Sequence, residues 1–187
     1  MYTDRIGNWI QTHSGARFYP ADPRPGDFDI ADIAHALSNL CRYGGHSKKF
    51  YSVAEHSVYV SRVVAPRFAL VGLLHDATEA YLVDVPRPIK KMLPAYEEME
   101  DGIWAALARQ FELPCGQMPL EVKEADTEVL LAERDQVLAV PPDDWSIPGK
   151  PADIGQIKFL APEAAKKAFL DRYQELELLR GLRGEEA

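Results

Sequence analysis

From residue 30 onward apolar positions recur every three to four residues, and almost nowhere do they alternate with a period of two, so the pattern predicts helices joined by short connections. Behind a cap at Asp29, Ile30, Ile33, Ala34, Leu37 and Leu40 form one helical stripe, which Gly44-Gly45 ends. Ser52-Val53-Ala54-Glu55 has the form of a capping box, in which each side chain satisfies an amide of the first turn, and it sets His56 in the first turn or two of a second helix. Pro66 ends that helix or opens the next, which is predicted to run through Phe68-Ala69-Leu70-Val71-Gly72-Leu73-Leu74 to about Tyr81. That stretch is apolar almost all round and is expected to be central and buried.

Asp84-Val85-Pro86-Arg87-Pro88 cannot be helical throughout, because each proline pushes its predecessor out of the α region, and it reads as a rigid loop. Helices are predicted from Pro94 to about Phe111, on Met99, Ile103, Ala106 and Leu107, and from Pro119 to about Leu138, with Val122, Asp126, Val129, Leu130 and Glu133 on neighbouring turns. A proline-containing loop, Pro141 to Pro151, holds Trp145, and a last helix spans about Pro162 to Leu182. Residues 1–29, rich in glycine, proline and aromatics, form an irregular or briefly extended lead-in expected to pack on the domain of residues 30–187. The fold class is all-α, one helical bundle.

Composition narrows this picture. A chain of 187 residues with 47% hydrophobic content fills one domain with a genuine core. A formal charge of −8 disfavours a surface built to hold a nucleic-acid polymer, while leaving room for a single bound nucleotide. Cys41 and Cys115 stand far apart, which suggests neither a disulfide framework nor a thiolate zinc site. The first residues hold no apolar signal core and the longest apolar run is too short to span a bilayer, so the expectation is a cytoplasmic protein without a membrane partner.

The candidate chemistry begins at His75-Asp76, an imidazole and a carboxylate inside an otherwise apolar helix. A buried ionised carboxylate is costly unless it is paired or bound to a metal. Glu79, four residues after His75, lies on the same side of the helix. His56 and Asp126 are likewise polar positions among apolar neighbours, although His56 also reads as a capping or core histidine and Asp126 as a surface carboxylate. Two imidazoles and two carboxylates make a thiolate-free donor set that suits one divalent transition metal, Co, Mn, Fe, Ni or Zn.

The order His56, His75-Asp76, Asp126 resembles the H…HD…D signature of HD-domain phosphohydrolases. Val53-Ala54-Glu55-His56-Ser57, Leu74 to Ala80 and Asp84 to Lys90 are similar to segments of the 5′-deoxynucleotidase branch, as is the style of Ser38-Asn39-Leu40-Cys41-Arg42-Tyr43 with Gly45-His46 and Phe50-Tyr51-Ser52 to its prophage-associated nucleotidases. The likeness covers roughly residues 30 to 135. It implies an HD-domain bundle in which His56, His75, Asp76 and Asp126 hold the metal and Glu79 is the acid/base residue. It also implies that Arg42 clamps the phosphate with its planar fork, and that Asp84 sits beside the leaving oxygen on a loop whose Val85, Pro86 and Arg87 touch the substrate. Tyr43 stands where well-studied bacterial members carry a tryptophan that crowds the sugar 2′ position, so weaker discrimination against ribonucleotides is implied. His46, after Gly44-Gly45, is a further candidate for the substrate phosphate, and His35 reads as structural. With five histidines in all, one metal rather than two is expected.

The implied activity is metal-dependent release of phosphate from a (deoxy)nucleoside 5′-monophosphate. A deoxynucleoside triphosphohydrolase is the alternative, with Arg87, Lys90 and Lys91 available to a longer tail, and a non-catalytic nucleotide-binding regulator is a third reading. The resemblance also implies a homodimer.

Overall fold

The computed structural model describes residues 4–113 and 116–184; Cys115 lies outside them. The lead-in contains a short antiparallel hairpin, β1 (Ile10–Gln11) and β2 (Arg17–Phe18). Phe18 of the lead-in is fully buried and stacks on Tyr81 at 3.9 Å, and Phe28 meets the same ring edge-on. The Gln110 side chain closes the seam, its Oε1 accepting from the Gly26 and Phe28 amides and its Nε2 donating to the Phe28 carbonyl.

The helices are α1 (Ile30–Asn39), α2 (Val53–Val63), α3 (Ala69–Leu74), α4 (Glu79–Leu82), α5 (Arg87–Lys90), α6 (Pro94–Gln110), α7 (Leu120–Val137) and α8 (Pro162–Gly184). Asp29 caps α1 through the amides of Ala31 and Asp32, satisfying donors that have no partner inside the helix. The mostly helical architecture agrees with the all-α reading. Among the described residues no helix is long and apolar enough to cross a membrane.

Three local expectations are corrected. The helix foreseen over 68–81 is not continuous. A 3₁₀ turn covers Pro66–Phe68, and between α3 and α4 the amides of Ala77 and Glu79 bond the carbonyls three residues back, a tighter winding than an α-helix. The capping box at Ser52 is half formed: Ser52 Oγ accepts from the Glu55 amide at 3.1 Å. The Glu55 carboxylate instead accepts the amides of Lys158 at 3.1 Å and Leu160 at 2.7 Å, tying the segment before α8 to the start of α2. Met99, read as part of the apolar stripe of α6, faces solvent, whereas Ile103, Ala106 and Leu107 are buried.

The centre of the bundle is α2, packed by α1, α3, α7 and α8. Every residue from Val53 to Ser61 is buried, including two serines. Buried hydroxyls need partners: Ser57 Oγ donates to the Val53 carbonyl, and Ser61 Oγ donates to the Ala69 carbonyl while accepting from Arg172 Nε. At Gly72 a Cβ would meet Val64 Cγ1 at 3.0 Å and the Ser61 Cα at 3.3 Å, so a side chain there would force α3 away from α2. That close approach brings His56 on α2 and His75 just beyond α3 together, their rings tilted at 54°.

Candidate metal centre and adjoining cavity

Four groups from three parts of the fold converge. His56 and His75 bring their Nε2 atoms to 3.3 Å of each other. Asp76 Oδ2 lies 3.2 Å from His75 Nε2 and 3.6 Å from His56 Nε2; Asp126 Oδ1, from α7, lies 3.2 Å and 3.9 Å from the Nε2 atoms of His56 and His75. Ligand atoms about 2.1 Å from a common ion are separated by roughly 3.0 Å across a right angle and roughly 3.4 Å at the tetrahedral angle. The separations among His56, His75 and Asp126 are of that order and these three form a group able to hold a metal ion, while Asp76 stands beside both imidazoles but outside that group.

The opposite edge of each imidazole is fixed. His75 Nδ1 donates to the Gly72 carbonyl at 2.8 Å, and His56 Nδ1 donates to Glu133 Oε1 at 2.5 Å. Since a carbonyl and an ionised carboxylate only accept, Nδ1 carries the proton in both rings and Nε2 is left to present a lone pair to an ion. The His75 bond uses the carbonyl that an α-helix would offer to Asp76, a local reason for the tightened winding after Leu74.

Glu133 is the residue whose role the sequence reading missed. It is fully buried and gathers His56, the Tyr51 hydroxyl at 2.7 Å, the Tyr43 hydroxyl, and Arg42 Nε at 3.3 Å. Arg42 in turn directs Nη1 to Asp76 Oδ2 at 3.3 Å, so the clamp candidate and the ligand set share one polar network. An antiparallel bridge between Cys41 and Ser52, with the Arg42 amide on the Tyr51 carbonyl, anchors this corner. Tyr43 adopts φ 58°, a left-handed conformation that costs a non-glycine residue roughly 1–3 kcal/mol and here swings its hydroxyl onto Glu133.

Beside the cluster opens a cavity of about 560 Å³. Arg42, Tyr43, Glu79, Asp84, Val85, Pro86 and Arg87 all line it, as do Leu130, Trp145 and Ile147. Trp145 and Ile147 come from the loop after α7, and nothing local in the sequence tied them to the site. The rigid loop is only partly a loop, since α5 begins at Arg87. Val83, immediately before Asp84, holds φ 65° and ψ 158°, a region almost reserved for glycine. It is clamped there by its amide on the Glu79 carbonyl and by the Tyr96 hydroxyl donating to its own carbonyl. Arg87 points its guanidinium at Asp126 Oδ2 at 2.7 Å, leaving Oδ1 for the cluster. His46 is not brought to the site: the 3₁₀ turn Arg42–Gly45 leaves it exposed and outside the cavity lining.

The uncharacterized protein YfdR of Escherichia coli is 41% identical over 175 residues, a match spanning 92% of this chain and 98% of YfdR. The chain belongs to the YfdR family. The uncharacterized protein RCAP_rcc00048 of Rhodobacter capsulatus is 34% identical over 194 residues, spanning 94% of this chain and 98% of that protein. No family model matches the chain.

The charges of this YfdR-family site are strongly interdependent. Burial opposes the ionisation of Asp126, but the His56 hydrogen bond and the His56 and His75 charges outweigh it and bring the carboxyl down to about 2. Burial likewise opposes Glu133, and Arg42 and His56 hold it at about 2. Glu79 behaves oppositely. Burial, then the neighbouring Asp76 and Asp84, push its carboxyl well above the ordinary range, and its Oε2 is buried without a hydrogen-bond partner. Burial also raises Asp84.

His56 carries a pH prediction. Burial and Arg42 disfavour its protonation, yet Glu133 and Asp126 prevail and lift it to about 9 in the metal-free protein. Raised above the unfolded value of about 6.5, it contributes stability that is complete below pH ~6.5 and is lost as pH rises through about 9, on the order of 3 kcal/mol. Chelator-treated protein in this YfdR-family fold is therefore expected to melt at falling temperature between those limits. Added divalent metal, which replaces the Nε2 proton, is expected to abolish the decline. A pH-independent melting temperature after chelation would contradict the His56–Glu133 pairing.

Proposed function

We propose that this protein is a metal-dependent phosphohydrolase of the HD type that releases phosphate from nucleoside 5′-monophosphates. The observation that carries the reading is the convergence of His56, His75, Asp76 and Asp126, with Asp76 and Asp126 on the wall of a cavity that also holds an arginine and an unpaired, buried carboxyl. A divalent ion held there supplies Lewis-acid charge to a phosphate oxygen and lowers the pKa of a water. The thiolate-free donor set suits Mn, Fe, Co, Ni or Zn.

The remaining work falls to the chain's own side chains. Arg42, held between Glu133 and Asp76 before any substrate arrives, offers a pre-oriented cation to charge developing on the phosphoryl oxygens. Glu79 exchanges the proton at its unpaired oxygen, and Asp84 attends the leaving oxygen. Leu130, Trp145 and Ile147 give the cavity an apolar wall suited to a nucleobase. Monophosphates are favoured over triphosphates because two cations open to a longer tail are engaged already, Arg87 by Asp126 at 2.7 Å and Lys90 by Glu100 at 2.6 Å.

The test is a phosphate-release screen over nucleoside mono-, di- and triphosphates with each of these metals. Free phosphate from monophosphates supports the reading; pyrophosphate or triphosphate as product, or no product with any metal, overturns it. Arg42→Lys is expected to lose most activity while metal content stays near that of the parent, because lysine keeps the charge without the fork. Full activity in that variant would leave Arg42 as a structural partner of Glu133 and Asp76.

A further inference from the structure

The ligand cluster borders two cavities, not one. Asp76, Lys90 and Asp126 line both the cavity described above and a second of about 660 Å³. Arg42, Glu79 and Asp84 face only the first; His75, Thr78, Asp101, Trp104 and Lys123 face only the second. Two ion pairs brace the dividing wall, Arg87 with Asp126 and Lys90 with Glu100. A phosphate seated at the cluster therefore has space for a substituent on each side of phosphorus, and a monoester fills one side only.

The lining of the second cavity selects what the other substituent can be. No arginine is among its described lining residues, Lys90 and Glu100 offset each other, and Lys123 is outnumbered by the carboxylates of Asp76, Asp101 and Asp126, so the lining offers further negative charge no net attraction. A polyphosphate tail is disfavoured on these grounds. Thr78, Gln117, Asp101 and Lys123 offer donors and acceptors suited to hydroxyl groups, and Trp104 and Met118 add an apolar surface. This mixture suits a neutral group that is both hydroxylated and flat, which is the chemistry of a nucleoside.

We propose that the protein also cleaves phosphodiesters joining two nucleosides, with one nucleoside in each cavity and the bridging phosphate at the ligand cluster. The inference rests on the phosphohydrolase reading and extends its substrate class from monoesters to diesters. In the step, a water oxygen forms a bond to phosphorus and the bond from phosphorus to one ester oxygen breaks. A proton from the water ends on the departing alkoxide, so the products are a nucleoside and a nucleoside monophosphate, without any oxidant or reductant. A 5′-monophosphate so formed is itself a substrate for phosphate release.

The experiment compares a dinucleoside monophosphate with the matching 5′-mononucleotide, using the metal-loaded full chain. Asp101 and Lys123 are exposed on α6 and α7 and line only the second cavity, so Asp101→Trp and Lys123→Trp obstruct it with little risk to folding. Each is expected to lower kcat/KM for the diester by about tenfold or more, against less than about twofold for the monoester. In the Glu79→Gln background, calorimetric binding of the dinucleoside monophosphate is expected to weaken by a similar factor. A preparation active on the mononucleotide but inert towards the diester overturns the inference, as do equal losses on both substrates. Inactivity towards both overturns the phosphohydrolase reading and this extension with it.

Discussion

Replacing Glu79 by glutamine is expected to lower turnover more than a hundredfold while leaving metal content and melting temperature close to those of the parent. Burial between Asp76 and Asp84 keeps this carboxyl protonated far above the usual range, so in the resting protein a neutral amide of equal size replaces a neutral acid and little stability is at stake. What glutamine removes is the ability to release and recapture a proton. General acid–base assistance is typically about 10²- to 10⁴-fold, or roughly 3 to 5 kcal/mol of barrier. A residue that merely filled space would show another signature, with activity tracking the folded, metallated fraction. Unchanged turnover per bound metal would remove Glu79 from the chemistry.

The second large effect is expected at Glu133, which lines neither cavity and yet joins His56, Tyr43, Tyr51 and Arg42. Glutamine can still accept the His56 proton, but it turns an amide group towards donors and leaves the buried Arg42 without one of its two carboxylates. Disrupting partners that orient a ligating histidine typically costs about 10- to 100-fold in metal affinity. Removing one member of a buried ion pair costs about 3–5 kcal/mol, on the order of 10 °C in melting temperature for a chain of this size. Metal titration and thermal melting of Glu133→Gln, with and without metal, check both parts. Parental values in the metal titration would mean that the His56 ring is held by its packing rather than by this carboxylate.

The contrast between Glu79 and Glu133 shows what could be read along the chain. Histidines and aspartates set into apolar helices carry their own signal, because leaving such groups unpaired in a core is costly, so His56, His75, Asp76 and Asp126 stood out before any geometry was known. Glu133 did not, because α7 carries several acidic residues and only packing decides which is buried. Its position seven residues after Asp126, on the same helical face and preceded by Leu130, Leu131 and Ala132, was the available clue. The misplacement of His46 has a different cause. Successive left-handed residues at Tyr43, Gly44 and Gly45 turn the chain, and the glycines announced a turn without giving its direction. The interruption at His75 was equally silent, since the residues around it all favour a helix and a histidine side chain takes the Gly72 carbonyl. Glu55 satisfied a familiar local pattern and was recruited by a distant one. Trp145 and Ile147 reached the cavity through a loop whose path only the finished fold defines.

That recruitment of Glu55 has a consequence for how the molecule assembles. Its carboxylate closes onto amides 103 and 105 residues further along, and Ser61 is met by Arg172 from 111 residues away. During synthesis, α2 must therefore wait for most of the remaining polypeptide before its buried polar groups find their partners. Contacts of such long sequence separation slow folding relative to a bundle closed by neighbours. Until α8 docks, the nascent chain exposes the apolar flank of the very helix that carries His56, leaving it open to misassociation.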